Sequence, residues 1–307
     1  MLSSRSMADF RALESVNKRR TFYLLFFMAV LVWSISYVAI TYFGGTGAGV
    51  IPFAVLITLI SVWGSYFASD KLVIKMTRAK VIRYEDNPNL FNVVNEVVIA
   101  SGLPMPKVAI VNDPAPNAFA TGRNPENALI AFTTGLLESM DRDELQGVTA
   151  HEMAHVANRD TLVSAVAATT AGIIALISDI LMRMLWFGGG RNRSHQNQMP
   201  IFLAIIPLIL APIAATLLRS AISRRRESLA DATAVSFTRN PAGLRSALEV
   251  LARDNTVVEA RSSAVAHFYI ESPLDASAAS KFFATHPPIQ ERIETLRKME
   301  ANPLSSN

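Results

Sequence analysis

Two runs free of charged residues, Phe22 to Phe43 and Ala48 to Ala68, constrain this chain more than any other feature of it. About 20 apolar residues of helix cross the hydrocarbon core of a bilayer, and each run is long enough to do so. The short segment Gly44-Gly45-Thr46-Gly47 between them makes the pair a tight hairpin. A cleaved signal peptide is the other reading of the first run, but the run is longer than an h-region and lacks a clear small-residue cleavage site. Composition points the same way. Half of the residues (50%) are hydrophobic and 18% are charged, with a mean hydropathy of +0.28, whereas about a quarter of a soluble domain is charged.

The flanks of the hairpin set its orientation. Arg11, Lys18, Arg19 and Arg20 precede the first run, Lys71, Lys75, Arg78 and Lys80 follow the second, and the loop between them has no charge. The positive-inside rule then puts both flanks in the cytoplasm. Two further apolar runs, Thr161 to Ile177 and Ile201 to Leu218, are ambiguous. The first leads directly into Asp179 and Arg183, an i,i+4 pair, and the connecting loop carries Arg191 and Arg193, which is unfavourable outside the cell. Spanning, dipping into the bilayer and packing as a buried soluble hairpin all remain open, with spanning preferred.

Other classes are excluded by composition. The apolar content is too high for a disordered chain, and 29 basic against 25 acidic residues leave +4, too small a surplus to mark a nucleic-acid binder. No cysteine is present, so disulfides, thiolate metal sites and cysteine nucleophiles are out of reach, and any metal must be held by nitrogen and oxygen.

The remainder reads as a globular domain. Lys107 to Asn112 and Ala128 to Thr133 are expected strands, the first punctuated by Pro104, Pro106, Pro114 and Pro116; Arg224 to Thr238, Ala242 to Arg253 and Ile289 to Met299 have helical spacing. The most informative stretch is Asp141 to Asp160, DRDELQGVTAHEMAHVANRD. Asp141 and Glu144 make a capping box, and Leu145, Val148, Met153 and Val156 recur at helical intervals, so a helix starts here and carries the histidines. His151 and His155 then share one face, one turn apart, and can reach a single zinc ion. Glu152, on the adjoining edge, is placed to take a proton from water at the metal. A surface helix with two solvated histidines is the bland alternative, and the apolar neighbours Val148 and Ala150 argue against it.

A catalytic zinc needs a third protein ligand and an open position. In RRRESLADATAVSF, Glu227 is followed four residues later by Asp231 on a helix-forming segment. Glu227 is the expected third ligand, and Asp231 is placed to accept a hydrogen bond from the free ring nitrogen of a zinc-bound histidine. An exposed carboxylate offset by Arg224 to Arg226 is the competing reading of Glu227. The two halves of the site are separated by the third and fourth apolar runs, so the intervening chain must cross the membrane an even number of times, as two runs do.

These motifs, HExxH within Asp141 to Asp160 and Glu-x-x-Ala-Asp at Glu227 to Asp231 flanked by hydrophobic spans, resemble the HtpX-type membrane zinc metalloproteases, relatives of the CAAX-prenyl proteases. The resemblance extends to Asn117-Ala118-Phe119-Ala120-Thr121-Gly122, which looks like the edge strand that pairs with a substrate backbone, and to Ala131 to Leu137 before the catalytic helix. It implies substrate binding at Asn117, Ala118 and Phe119, although Asn117 also reads as a turn former after Pro116. Near the C-terminus, Thr285-His286-Pro287-Pro288 and Gln290-Glu291-Arg292-Ile293 match too. The resemblance implies that His286 and Arg292 are catalytic, facing the zinc as oxyanion donors. The alternative is that His286 caps the last helix while Arg292 pairs with Glu291 or Glu294. His195 and His267 have no partner motif.

The expectation is therefore a mainly α, multi-pass membrane protein with an α+β, zincin-like (gluzincin) catalytic domain, holding one Zn2+ per chain. Its parts are a cytoplasmic segment at 1–21, a transmembrane hairpin at 22–68, a first catalytic portion at 69–160, the third and fourth hydrophobic segments at 161–218 and a second catalytic portion at 219–307. The resemblance implies an endopeptidase of the bacterial inner membrane, catalytic on the cytoplasmic side, that cleaves misfolded or damaged membrane proteins under stress. Its expected partners are protein substrates and the lipid bilayer, with no nucleic acid and no readable oligomeric state. A CAAX-type processing protease and a non-enzymatic scaffold or chaperone that keeps its zinc are the alternatives. The few hydrophobic runs argue against the first, and an intact Glu152 against the second.

Overall fold

The computed structural model describes residues 21–34, 49–166, 224–253 and 289–301, with positions 16, 19, 36 and 37. Among these residues the elements run α1 (Val50–Thr77), β1 (Lys80–Val81), α2 (Pro88–Ser101), β2 (Lys107–Val111), β3 (Ala118–Thr121), β4 (Leu129–Thr133), α3 (Thr134–Ser139), α4 (Arg142–Ala157), α5 (Arg224–Thr238), α6 (Pro241–Arg253) and α7 (Ile289–Ala301). The described residues are thus mostly helical, with one small sheet. The strands expected from Lys107 and Ala128, and the helices expected after Arg224, Ala242 and Ile289, form where the pattern put them.

Local chemistry sets the ends of the helices that matter. The capping box expected at the head of α4 is present: Glu144 N donates to Asp141 Oδ1 at 2.9 Å and Asp141 N to Glu144 Oε2 at 2.9 Å. These bonds satisfy two backbone donors that a helix start otherwise leaves open. Asn87 caps α2 by accepting from Leu90 N at 3.1 Å, and Pro88 supplies a first-turn residue that needs no backbone donor.

The sheet has the order β1-β2-β4-β3, with β2 and β4 parallel and both outer pairs antiparallel. It is covered on both faces. Alternate residues Val108, Ala118, Ala120, Ile130 and Phe132 join Val148 and Met153 of α4 and Val94 of α2 in the main core. Their neighbours Ala109, Val111, Phe119, Leu129 and Ala131 pack on the opposite side with Val73 of α1 and Ala165. Burial on both faces explains why β4 reads as a near-continuous apolar run. It also leaves β3 as an edge strand, antiparallel to β4 with Ala118 opposite Phe132 and Thr121 opposite Leu129.

By hydropathy, no helix among the described residues is long and apolar enough to cross a membrane. In the first apolar run, Leu24, Met28 and Val32 are buried, while Phe22 (65%), Phe26 and Val30 are exposed. Leu24 packs against Leu162, Val163 and Val166. Helix α1 continues beyond Ala68 to Thr77 and stops at Arg78, whose φ of 54° is left-handed. Residues 160–166 are helical; the rest of the third run, the whole of the fourth and the segment Gly188 to Gln198 lie outside the described residues.

Helix α4 is the centre of the helical layer and packs against α2, α5 and α6. It comes close to α6 at Gly147, where a Cβ would stand 2.6 Å from the backbone nitrogen of Leu244. Alanine is the better helix former by about 1 kcal/mol, but here it would push two backbones apart, which costs about 1–3 kcal/mol. Gly147→Ala is therefore expected to lower the melting temperature by several degrees. Gly64→Ala, at a helical glycine whose Cβ would meet nothing within 4 Å, is expected to leave it unchanged or raise it. Thermal melts of both variants check the pair.

Candidate metal centre

The ligand-bearing residues lie on two helices that the sequence separates widely. α4 carries His151, Glu152 and His155, and α5 carries Glu227 and Asp231. All are buried except His155, which is partly so. Around one point, His151 Nε2 and His155 Nε2 are 3.2 Å apart, His151 Nε2 is 3.6 Å from Glu227 Oε2, and His155 Nε2 is 3.7 Å from Glu227 Oε1. Ligands at about 2.0–2.1 Å in a tetrahedron stand roughly 3.3 Å from one another. The three donors therefore fit one zinc ion, and they are two nitrogens and an oxygen, as a chain without cysteine requires.

Each imidazole is held from behind by a carboxylate. His151 Nδ1 is 3.0 Å from Asp231 Oδ1, and His155 Nδ1 is 3.2 Å from Asp160 Oδ2. With Nδ1–H donated to a carboxylate, the Nε2 lone pair is left pointing at the metal. Asp231 was expected in this role from its spacing to Glu227. Asp160 closes the HExxH segment but carries no such spacing signal; its reach back to His155 depends on the turn at Asn158 and Arg159, where Arg159 has a φ of 60°.

Arg292, expected to face the zinc, lies against the ligand cluster and is paired there with Asp231. It is buried on α7, and its Nη2 and Nε donate to Asp231 Oδ1 and Oδ2 at 2.7 and 2.9 Å, a two-pronged pairing. Its Nη1 lies 3.8 Å from Glu227 Oε2, and Nη2 is 3.4 Å from both ring nitrogens of His151. Neither Glu291 nor Glu294 is its partner in these contacts. His286 lies outside the described residues.

Asn117, Ala118 and Phe119 sit where β3 leaves the preceding turn. Thr133 N donates to Asn117 O at 2.9 Å, Asn117 N to Thr133 Oγ1 at 2.7 Å, and Ala118 N to Asn117 Oδ1 at 3.0 Å. The asparagine therefore fixes the head of the edge strand against β4. Ala118 faces the main core and Phe119 the opposite layer.

The charges are strongly coupled. Burial pushes the His151 pKa down, and Arg292 adds to this, but the hydrogen bonds to Asp231 and Glu227 outweigh both and raise it to about 9. Burial pushes Asp231 up, yet Arg292 and His151 hold it well below the usual carboxylate range. Burial works against the Arg292 cation and Asp231 more than offsets it, so Arg292 stays charged. In the metal-free protein the raised His151 pKa contributes stability below about pH 6.5 that is lost as pH rises through about 9. Zinc must displace that proton. Calorimetric titration at pH 7.5 in buffers of different ionisation heat is expected to show about one proton released per zinc bound, falling toward zero above pH 9; no release at pH 7.5 would contradict this placement of the proton.

The comparisons with known proteins agree with this geometry. A "Protease HtpX homolog" of Caldanaerobacter subterraneus subsp. tengcongensis is 42% identical over 292 residues, spanning 94% of this chain and 97% of the relative. The protein of the same name from Syntrophobacter fumaroxidans is 43% identical over 284 residues, 92% and 98% of the two chains. The crystal structure of S. mikatae Ste24p matches with a TM-score of 0.51 at 15% identity, covering 93% of this chain and 66% of that one, a likeness of fold. Residues 85–300, which contain every described ligand above, match peptidase family M48. The chain belongs to that family and is a zinc metalloprotease.

Proposed function

We propose that this metalloprotease is embedded in the bacterial inner membrane, with its active site in the cytoplasm, and cleaves misfolded or damaged membrane proteins. The observation that carries the reading is the convergence of His151, His155 and Glu227 beside Glu152 in a chain that also carries two long uncharged runs. Exposed apolar side chains support membrane burial of those runs: on α1, Ile51, Phe53, Leu56, Leu59, Ile60 (64%) and Trp63 (69%) face outward with no charged residue among them. So many outward-facing apolar groups are costly in water and favourable in lipid. The meeting of α4 and α5 also supports the topology, because it returns the chain after residue 223 to the side it left after residue 166. Any crossing in between must be paired.

When bound, zinc supplies a Lewis acid for the scissile carbonyl and lowers the pKa of water. The rest of the chemistry falls to the chain. Glu152, next to His151 on α4, takes the proton from water and passes it to the leaving amine. The β3 edge, fixed at Asn117 and buried in this structure, would pair through its backbone with an extended peptide, which gives binding with little demand on side chains and suits unfolded substrates. In this reading His286 and Arg292 are the oxyanion donors, with Arg292 held beside His151 by its pairing with Asp231.

Two outcomes test it. Glu152→Gln is expected to keep zinc but lower cleavage of an unfolded membrane protein by about 100-fold or more; undiminished cleavage would remove Glu152 from the mechanism. Because the chain has no cysteine, single cysteines report topology without background. In intact cells a membrane-impermeant maleimide should label Thr46→Cys and not Ser139→Cys, and the reverse pattern would overturn the cytoplasmic assignment.

A further inference from the structure

The carboxylate behind His155 is itself anchored, and the anchor joins the two metal-bearing helices. Asp160 Oδ1 is 3.6 Å from Arg226 Nη1, and both side chains are buried. Arg226 immediately precedes Glu227 on α5, while Asp160 follows α4 by one tight turn. The chain Arg226–Asp160–His155 therefore starts beside one zinc ligand and ends on another. It mirrors Arg292–Asp231–His151, so that each imidazole is backed by an aspartate and each aspartate by an arginine. The next residue after Asp160 is also tied down: Thr161 Oγ1 donates to Gly122 O at 3.0 Å, at the end of edge strand β3.

We infer that Asp160 and Arg226 are positioning residues for the zinc, a pair that orients His155 and sets the spacing between α4 and α5 so that His155 and Glu227 close on one ion. The inference rests on the zinc reading of the site. Two features separate it from simple fold cohesion. The pair spans the junction between the halves of the ligand set, where a small shift of α5 moves Glu227 relative to both histidines. Asp160 also addresses the ring nitrogen opposite the metal-facing one, so its loss releases both the tautomer and the orientation of the ring. Losing such a partner typically weakens metal binding about 10–100-fold.

The test uses the full-length protein in detergent, with zinc affinity measured by chelator competition and melting temperature measured on metal-free samples. Asp160→Asn keeps the side-chain shape but leaves the buried Arg226 charge without this carboxylate, so it is expected to lower both zinc affinity and stability. The double variant Asp160→Asn/Arg226→Gln removes both charges. Its metal-free melting temperature is expected to recover toward wild type, while its zinc affinity stays about 10–100-fold weak. Recovery of zinc affinity together with stability would overturn the inference, since the pair would then only hold the fold. Wild-type affinity in Asp160→Asn would overturn it too. A wild-type protein that binds no zinc would instead overturn the metal reading beneath it.

Discussion

Everything at this site depends on how tightly two helices from distant parts of the chain are held together across buried charge. α4 brings two imidazoles and α5 a carboxylate, and neither helix supplies the three donors alone. Buried like this, His151, Glu227, Asp231 and Arg292 would each be costly in isolation; together they pair. Arg292 brings a third helix, α7, into the arrangement. Zinc completes a cluster whose charges already balance pairwise, and the proton it displaces from His151 is the counterpart of that balance.

The sheet serves the same arrangement from the other side. Its two apolar faces place β3 and β4 between α4 and the layer that includes Val73 and Ala165, so the edge strand cannot slip without moving Phe119 or Ala118 into the wrong core. Asn117 and Thr133 lock its start, and Thr161 ties its end to the turn that carries Asp160. The strand proposed to receive substrate and the histidine proposed to hold the metal are thus linked through two adjacent residues, Asp160 and Thr161.

Local signals were legible and long-range ones were not. The HExxH helix could be read because Asp141, Glu144 and the apolar period act within one or two turns, and Glu227 with Asp231 because four residues make one helical turn. Asp160 escaped because it reaches His155 only through a left-handed turn at Arg159. The partners of Arg226 and Arg292 escaped because they lie far off in sequence; Asp231 is 61 residues from Arg292. Sheet order is likewise a tertiary choice: nothing local in Lys107 to Thr133 says that β4 inserts between β2 and β3. The apolar runs were plain from charge alone, whereas their relation to the membrane depends on the surroundings of the helices.

X-ray absorption at the zinc edge, on protein purified with its metal, tests the central claim most directly. The account predicts a four-coordinate ion with two imidazole nitrogens and oxygen donors at about 2.0–2.1 Å, and the loss of one oxygen donor or of the metal itself in Glu227→Ala. A spectrum with three or more imidazoles, or one unchanged by Glu227→Ala, would contradict it.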